Sequence, residues 1–102
     1  MGSRLELHQE LCVLLESDNV YFNAPESVKM HYPAIRYTLV PGDTRYANNR
    51  HYNSINCYEV TLIEEDPDST IHNRIPQHFQ MSRWDDRYVA DNLIHNKYRI
   101  YY

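Results

Sequence analysis

Residues 54 to 65 alternate between two faces, with Tyr58, Val60 and Leu62 on one and Glu59, Thr61 and Ile63 on the other. A period of two belongs to a strand, because successive side chains on extended backbone point to opposite sides. Each face being of mixed size with one side polar, the strand is half-buried and needs a covering layer on its apolar side. The segment ends in Glu64-Glu65-Asp66, a polar stop.

The same period recurs twice. Residues 34 to 40 place Ile35, Tyr37 and Leu39 on one face, between Pro33 and Pro41-Gly42-Asp43. Near the end of the chain, Tyr98, Ile100 and Tyr102 alternate with Lys97, Arg99 and Tyr101. We read two strands there, roughly 79–88 and 96–102, joined around Ala90-Asp91-Asn92-Leu93. Val20-Tyr21-Phe22 is a further short strand, broken by Pro25, which pushes Ala24 out of helical geometry.

Two helices supply the covering layer. Over residues 4 to 16, Leu7, Leu11, Leu14 and Leu15 recur at three and four and form one apolar stripe. Ser3 and Glu6 make a capping box, and Ser17-Asp18-Asn19 ends the helix. Asp66-Pro67-Asp68-Ser69 predicts a second, short helix with Asp66 as cap and Pro67 at its first position. Ile71 and Ile75 give it a narrow apolar face, and Pro76 limits its length. The predicted order is α-β-β-β-α-β-β. That order describes a single α+β domain over residues 1–102, with a mainly antiparallel sheet and both helices packed on it. Residues 41–53 carry little apolar material besides Tyr46 and Tyr52 and read as a long polar loop or hairpin arm.

Composition narrows the function classes. The chain has only two glycines, which leaves almost nothing for phosphate-cradling loops and argues against a nucleotide enzyme. A net charge of −4 disfavours holding nucleic acid by bulk charge. No run approaches the roughly 18 apolar residues of a membrane span, so no membrane partner is expected. The charged N-terminal stretch lacks the apolar core of a signal peptide. Two cysteines, Cys12 and Cys57, are too few for a disulfide framework and fit a reducing compartment. Ten tyrosines suit strands and interfaces.

Catalytic and metal readings compete with plainer ones. His8 and Cys12 lie four apart on the first helix, but no second pair completes a zinc site, so a packed cysteine beside a polar histidine is the simpler account. Cys57 with His51, His72, His78 or His95 could form a nucleophile pair, yet no local signature surrounds either cysteine. The acids Glu64, Glu65, Asp66 and Asp68, and separately Asp85 and Asp86 with Asp91, could hold a divalent cation, but EF-hand spacing is absent. Arg45, Arg50, Arg83 and Arg87 interleave with Tyr46, Tyr52, Trp84 and Tyr88, a mixture that fits a single nucleic-acid strand or a protein interface. The acidic balance favours the interface. No catalytic residue, cofactor or metal is assigned.

Several phrases resemble the small tail-completion, or tail-terminator, proteins of long-tailed bacteriophages. They are Val20-Tyr21-Phe22-Asn23-Ala24-Pro25-Glu26-Ser27-Val28-Lys29-Met30, Tyr32-Pro33-Ala34-Ile35, Tyr58-Glu59-Val60-Thr61-Leu62-Ile63, Asp66-Pro67-Asp68-Ser69 and Tyr88-Val89-Ala90-Asp91-Asn92-Leu93-Ile94-His95. Together they span about four fifths of the chain in consistent order. Trp84-Asp85-Asp86-Arg87 departs from the family pattern, where a more apolar residue and a single acid are expected.

The resemblance implies a structural protein of the virion, made in the host cytoplasm and placed at the tail–head junction. Its expected partners are other copies of itself in a ring, typically of six subunits, the tail tube protein, and a head-completion or connector protein. DNA would pass transiently through the lumen. The residues expected at the ring or tube interface are Arg45, Tyr46, Arg50, Tyr52, Trp84, Arg87 and Tyr101. Those expected to line an acidic lumen are Glu64, Glu65, Asp66, Asp68, Asp85 and Asp86. The Tyr-rich C-terminal strand is the expected edge for pairing between subunits. The nearest alternative is a stopper protein on the portal side of the neck, and the distant one a small metal-dependent nuclease.

Overall fold

The computed structural model describes residues 3–25, 29–41, 45–46 and 54–102, with backbone alone for Arg45, Tyr46 and Ser54. Helix α1 (Arg4–Leu15) starts as the capping box predicts: the Ser3 hydroxyl accepts the Glu6 amide at 3.2 Å. Leu7, Leu11, Leu14 and Leu15 are all buried. The helix closes at Glu16, which takes the left-handed conformation at φ 61°. The Glu16 amide bonds the Val13 carbonyl and the Ser17 amide bonds that of Cys12, a pairing that satisfies two terminal carbonyls without a glycine.

The main sheet has five strands. Strand β1 (Val20–Phe22) runs parallel to β2 (Ala34–Leu39), and β2 is antiparallel to β5 (Cys57–Glu64). Strand β7 (Leu93–Tyr101) is antiparallel both to β5 and to β6 (Ser82–Ala90), giving the order β1-β2-β5-β7-β6. A separate two-stranded ribbon pairs β3 (Arg45–Tyr46) with β4 (Ser54–Ile55). Apart from that ribbon, the element order is the α-β-β-β-α-β-β of an α+β domain.

The core lies between one face of the sheet and the two helices. Leu7, Leu11 and Leu14 of α1 and Ile75 of α2 (Ile71–His78) meet Ile35, Tyr37, Val60, Leu62, Tyr98 and Ile100. The opposite face carries Arg36, Thr61 and Lys97 in one cross-strand row and Thr38, Glu59 and Arg99 in the next.

Several boundaries differ from the sequence reading, each for a local reason. Asp66 does not cap α2. Its carboxylate accepts the Asp68 amide at 2.9 Å, and its carbonyl accepts the Ser69 amide. Asp-Pro-Asp-Ser is therefore a self-bonded turn, and the helix begins later, with the Ser69 hydroxyl accepting the Ile71 amide. Pro76 does not end α2 but sits inside it. The carbonyl it leaves without a helical amide, that of His72, accepts the Tyr98 hydroxyl at 2.7 Å.

The penultimate strand starts later than expected, the last one starts earlier, and the two meet at a two-residue turn, because Asp91 and Asn92 both have positive φ, at 53° and 63°. That is the twist a tight hairpin needs. Residues 54–65 divide between the ribbon and β5 and do not form one strand. Leu39 follows the alternation but lies past the helix cover and is exposed. Ile63, placed by alternation on the polar face, is buried there, opposite Ala34 and His95.

Candidate functional site

The C-terminal strand is not an edge. Strand β7 is paired along both sides, so the outer strands are β1, three residues long, and β6, nine residues long. Adding the tyrosines to an alternating pattern identifies a strand but not its place in the sheet. Strand β6 sits at the edge because the tight turn at Asp91-Asn92 folds it back on β7 alone.

β6 is exposed over most of its length, with Trp84 42%, Tyr88 38% and Val89 70% accessible. The ladder slips between Trp84 and Asp86, so Asp85 is an extra residue that opposes nothing on β7. Such a bulge turns neighbouring side chains and interrupts the free edge. It also decides which residues share a face. Trp84, Arg87 and Val89 lie opposite Tyr98, Asn96 and Ile94, while Asp86 and Tyr88 lie opposite Lys97 and His95.

Each face is braced. Trp84 stacks on Tyr98 with centroids 5.9 Å apart, and its ring also lies 5.5 Å from that of His72. The Arg87 guanidinium donates to the Asn96 side-chain oxygen at 3.2 Å. On the other face Tyr88 stacks flat on His95 at 4.8 Å. Trp84 and Arg87, both expected at an interface, thus share one edge and one face. Tyr101 lies at the far end of β7, opposite Cys57. Arg45 and Tyr46 form β3, and Arg50 and Tyr52 lie outside the described residues.

The acids expected at a lumen separate into two groups two strands apart. Glu65, Asp66 and Asp68 are exposed on the turn after β5. Glu64 is not one of them. At 3% exposure it is buried, the last residue of β5 and still in register with Ile94 in the sheet. Asp85 pairs with both Arg83 and Arg99, while Asp86 is exposed on β6 and accepts the Arg87 backbone amide.

A shallow cavity of about 550 Å³ opens on the helix-free face between Arg36, Thr38, Glu59, Thr61, His95 and Lys97. Glu59 and Lys97 are 3.5 Å apart, and Arg36 donates to the Ala24 carbonyl at 2.8 Å. Alternation alone marks these residues only as solvent-facing. The register of three strands is what gathers them.

Neither cysteine is in a disulfide. Burial and then Asp18 push the Cys12 thiol up, the reverse of nucleophile activation. His8 bonds the Tyr37 hydroxyl at 2.7 Å, and burial followed by Arg4 holds its pKa down. Among the described residues, no three His, Cys, Asp or Glu side chains converge as a metal site would require. Among them too, no helix is long and apolar enough to cross a membrane.

These features define a small α+β domain with an exposed, bulged edge strand that carries Trp84, Tyr88 and Val89. No protein-family model matches the chain, and no curated protein matches it.

Proposed function

We propose that this chain is a structural subunit of the tail-terminator kind. Copies of it close into a ring on the tail tube, stop tube growth and join the tail to a head-completion protein. DNA passes through the lumen, and the protein acts at the tail–head junction of a virion. The observation that carries the reading is the β6 edge, where Trp84, Arg87 and Val89 stand together on one exposed face. Aromatic and arginine side chains of this kind anchor protein interfaces.

The sequence phrases that resemble tail terminators support the same reading. They include β1, the start of β2, most of β5, the acidic turn and the β6–β7 hairpin. In this account the exposed carboxylates of Glu65, Asp66 and Asp68 face the lumen, where repulsion keeps phosphates from gripping the wall.

Co-purification tests the assignment. The tagged chain should retain tail tube protein from its own system. Retention of a portal–connector complex without tube protein would move it to the stopper side of the neck, and retention of neither would remove it from the neck.

A further inference from the structure

Glu64 is a buried carboxylate that the chain itself leaves unserved. Among the described residues, no side chain or amide donates to it and no cation lies within ion-pair distance. The groups nearest to hand are engaged elsewhere. The Tyr98 hydroxyl, close enough to feel the Glu64 charge, donates to the His72 carbonyl. Arg87 donates to the Asn96 side-chain oxygen, and the Ile71 amide at the start of α2 goes to the Ser69 hydroxyl. The Asn96 side-chain nitrogen, itself without a partner among the described residues, does not reach it. A buried carboxylate is costly without donors or a counter-charge. Its retention here points to a group supplied from outside the chain.

The way in is open. Glu64 is the one buried residue lining a cavity of about 280 Å³ between the end of β5, the turn after it and the start of α2. Glu65 and Asp66 stand exposed around that cavity, and Tyr32, Pro33 and Ile71 add half-buried walls. Asp66 spends Oδ1 on the Asp68 amide and keeps Oδ2. Among the described residues, no Lys, Arg or His lines the cavity, so its charge is of one sign.

A bare divalent ion does not suit this arrangement. It needs several oxygens about 2.1–2.6 Å from one point, and no three acids among the described residues converge that way. A cation carried on an alkyl stem asks for less. Its head needs one direct carboxylate, while the acids around it deepen the negative potential. Its methylenes lie along the apolar walls. The volume falls just below the roughly 300–1,000 Å³ of sites for drug-sized molecules, which suits a single side chain or a short amine.

We propose that this cavity takes the ammonium or guanidinium head of an alkyl chain of lysine or arginine size, with Glu64 as its direct partner and Glu65 and Asp66 at the mouth. The site needs only this turn and the strand end beside it. It is independent of the ring reading, which its failure would leave untouched.

Amide NMR spectra of the full chain at pH 7, where both heads are charged, test it. At constant ionic strength, n-butylammonium or n-butylguanidinium should shift the amides of residues 64–66 and 69–71 saturably. Glu64→Gln keeps the shape and removes the charge, and should weaken binding about tenfold or more. Asp68→Asn, outside the cavity lining, should leave it unchanged. Circular dichroism checks that each variant folds. Glu65→Gln with Asp66→Asn, both at exposed positions, is the second variant and should also lower the affinity. The blocked amino acids Nα-acetyl-lysine methylamide and Nα-acetyl-arginine methylamide separate the sources. Binding at least as tight as that of the butyl cations marks a protein side chain as the ligand, and their exclusion while the butyl cations bind marks a free amine or guanidine. Equal shifts with uncharged n-butanol or with magnesium chloride would overturn the proposal, as would undiminished binding by Glu64→Gln. An absence of saturable shifts would overturn it too and leave water as the partner of Glu64.

Discussion

The Tyr98 hydroxyl completes the hydrogen bonding that Pro76 leaves open. Proline has no amide hydrogen, so the His72 carbonyl four residues earlier loses its helical partner. Tyr98, in the facing layer on β7, donates to that carbonyl at 2.7 Å. Burial first, and then the nearby charge of Glu64, pushes the Tyr98 hydroxyl far above the ordinary tyrosine range, so it stays a donor. Trp84 stacks on the same ring, so this one tyrosine ties helix α2, strand β7 and the exposed edge together.

Removing that hydroxyl should therefore be costly in one background and mild in another. Tyr98→Phe strands a buried carbonyl and should lower stability by about 1–3 kcal/mol. In a Pro76→Ala background the helix regains an amide for His72, and the same substitution should cost about 1 kcal/mol or less. Urea unfolding of the four proteins gives the coupling. Equal costs in both backgrounds would separate Tyr98 from Pro76.

Acid should weaken the fold through α1. The His8 pKa is depressed from its ordinary 6.5 by burial and by Arg4. The Glu10 carboxyl is raised by burial but lowered on balance from 4.5 by hydrogen bonds from Tyr102 and His78. In both cases the unfolded chain binds the proton more tightly, so stability rises with pH across the interval between the folded and unfolded values. Stability should be full above about pH 6.5 and fall as pH drops through the folded values. His8→Gln should remove the upper part of that loss and Glu10→Gln the lower part, as measured by melting temperature against pH.

Alkali should act at the other end of the same contact. Burial and the hydrogen bond to Glu10 push Tyr102 up to about 12. Its folded pKa lies above the ordinary 10.0, so its contribution is complete below pH 10 and is lost as pH rises toward 12. Tyr102→Phe should abolish that part of the alkaline decline. An unchanged profile would place the decline elsewhere.

The β6–β7 turn has room for improvement. Asn92 holds φ at 63° directly after Asp91 at 53°. Glycine adopts that geometry without strain, and Asp-Gly is a favoured pair for this turn. Asn92→Gly should stabilise the protein by up to about 1 kcal/mol, and Asn92→Val should destabilise it by at least as much. Thermal melts should order the three proteins accordingly, about 4–8 °C apart per kcal/mol.

Charge reversal tests the lumen assignment. Changing Glu65, Asp66 and Asp68 together to Lys should give assemblies that retain DNA on a filter at low salt and release it as salt rises. Retention by the wild type, or none by the variant at any salt, would take these residues away from the DNA path.

Much of the fold was legible in the sequence because it rests on local periods. The leucine stripe of α1, the Ser3 cap and the alternation in β2, β5 and β7 each need only a few neighbouring residues. What was not legible depends on partners far along the chain. Pro76 reads as a stop until Tyr98 is seen to serve the carbonyl it exposes. Asp66 reads as a helix cap because its competing bond to Asp68 looks the same in sequence. β7 reads as an edge because alternation says nothing about strand order, and order moved the exposed surface to β6. The bulge at Asp85 had a trace in the paired acids of Trp84-Asp85-Asp86-Arg87, where alternation breaks. Glu64 and Glu65 are adjacent and identical, yet the first is buried and the second exposed, because the sheet ends between them.

Native mass spectrometry of the purified chain, alone and with short tail tubes from its own system, tests the central claim most directly. The account predicts a closed ring of about six subunits, or a monomer that becomes one at tube ends and halts their growth. A monomer that leaves tube growth unchanged would contradict it.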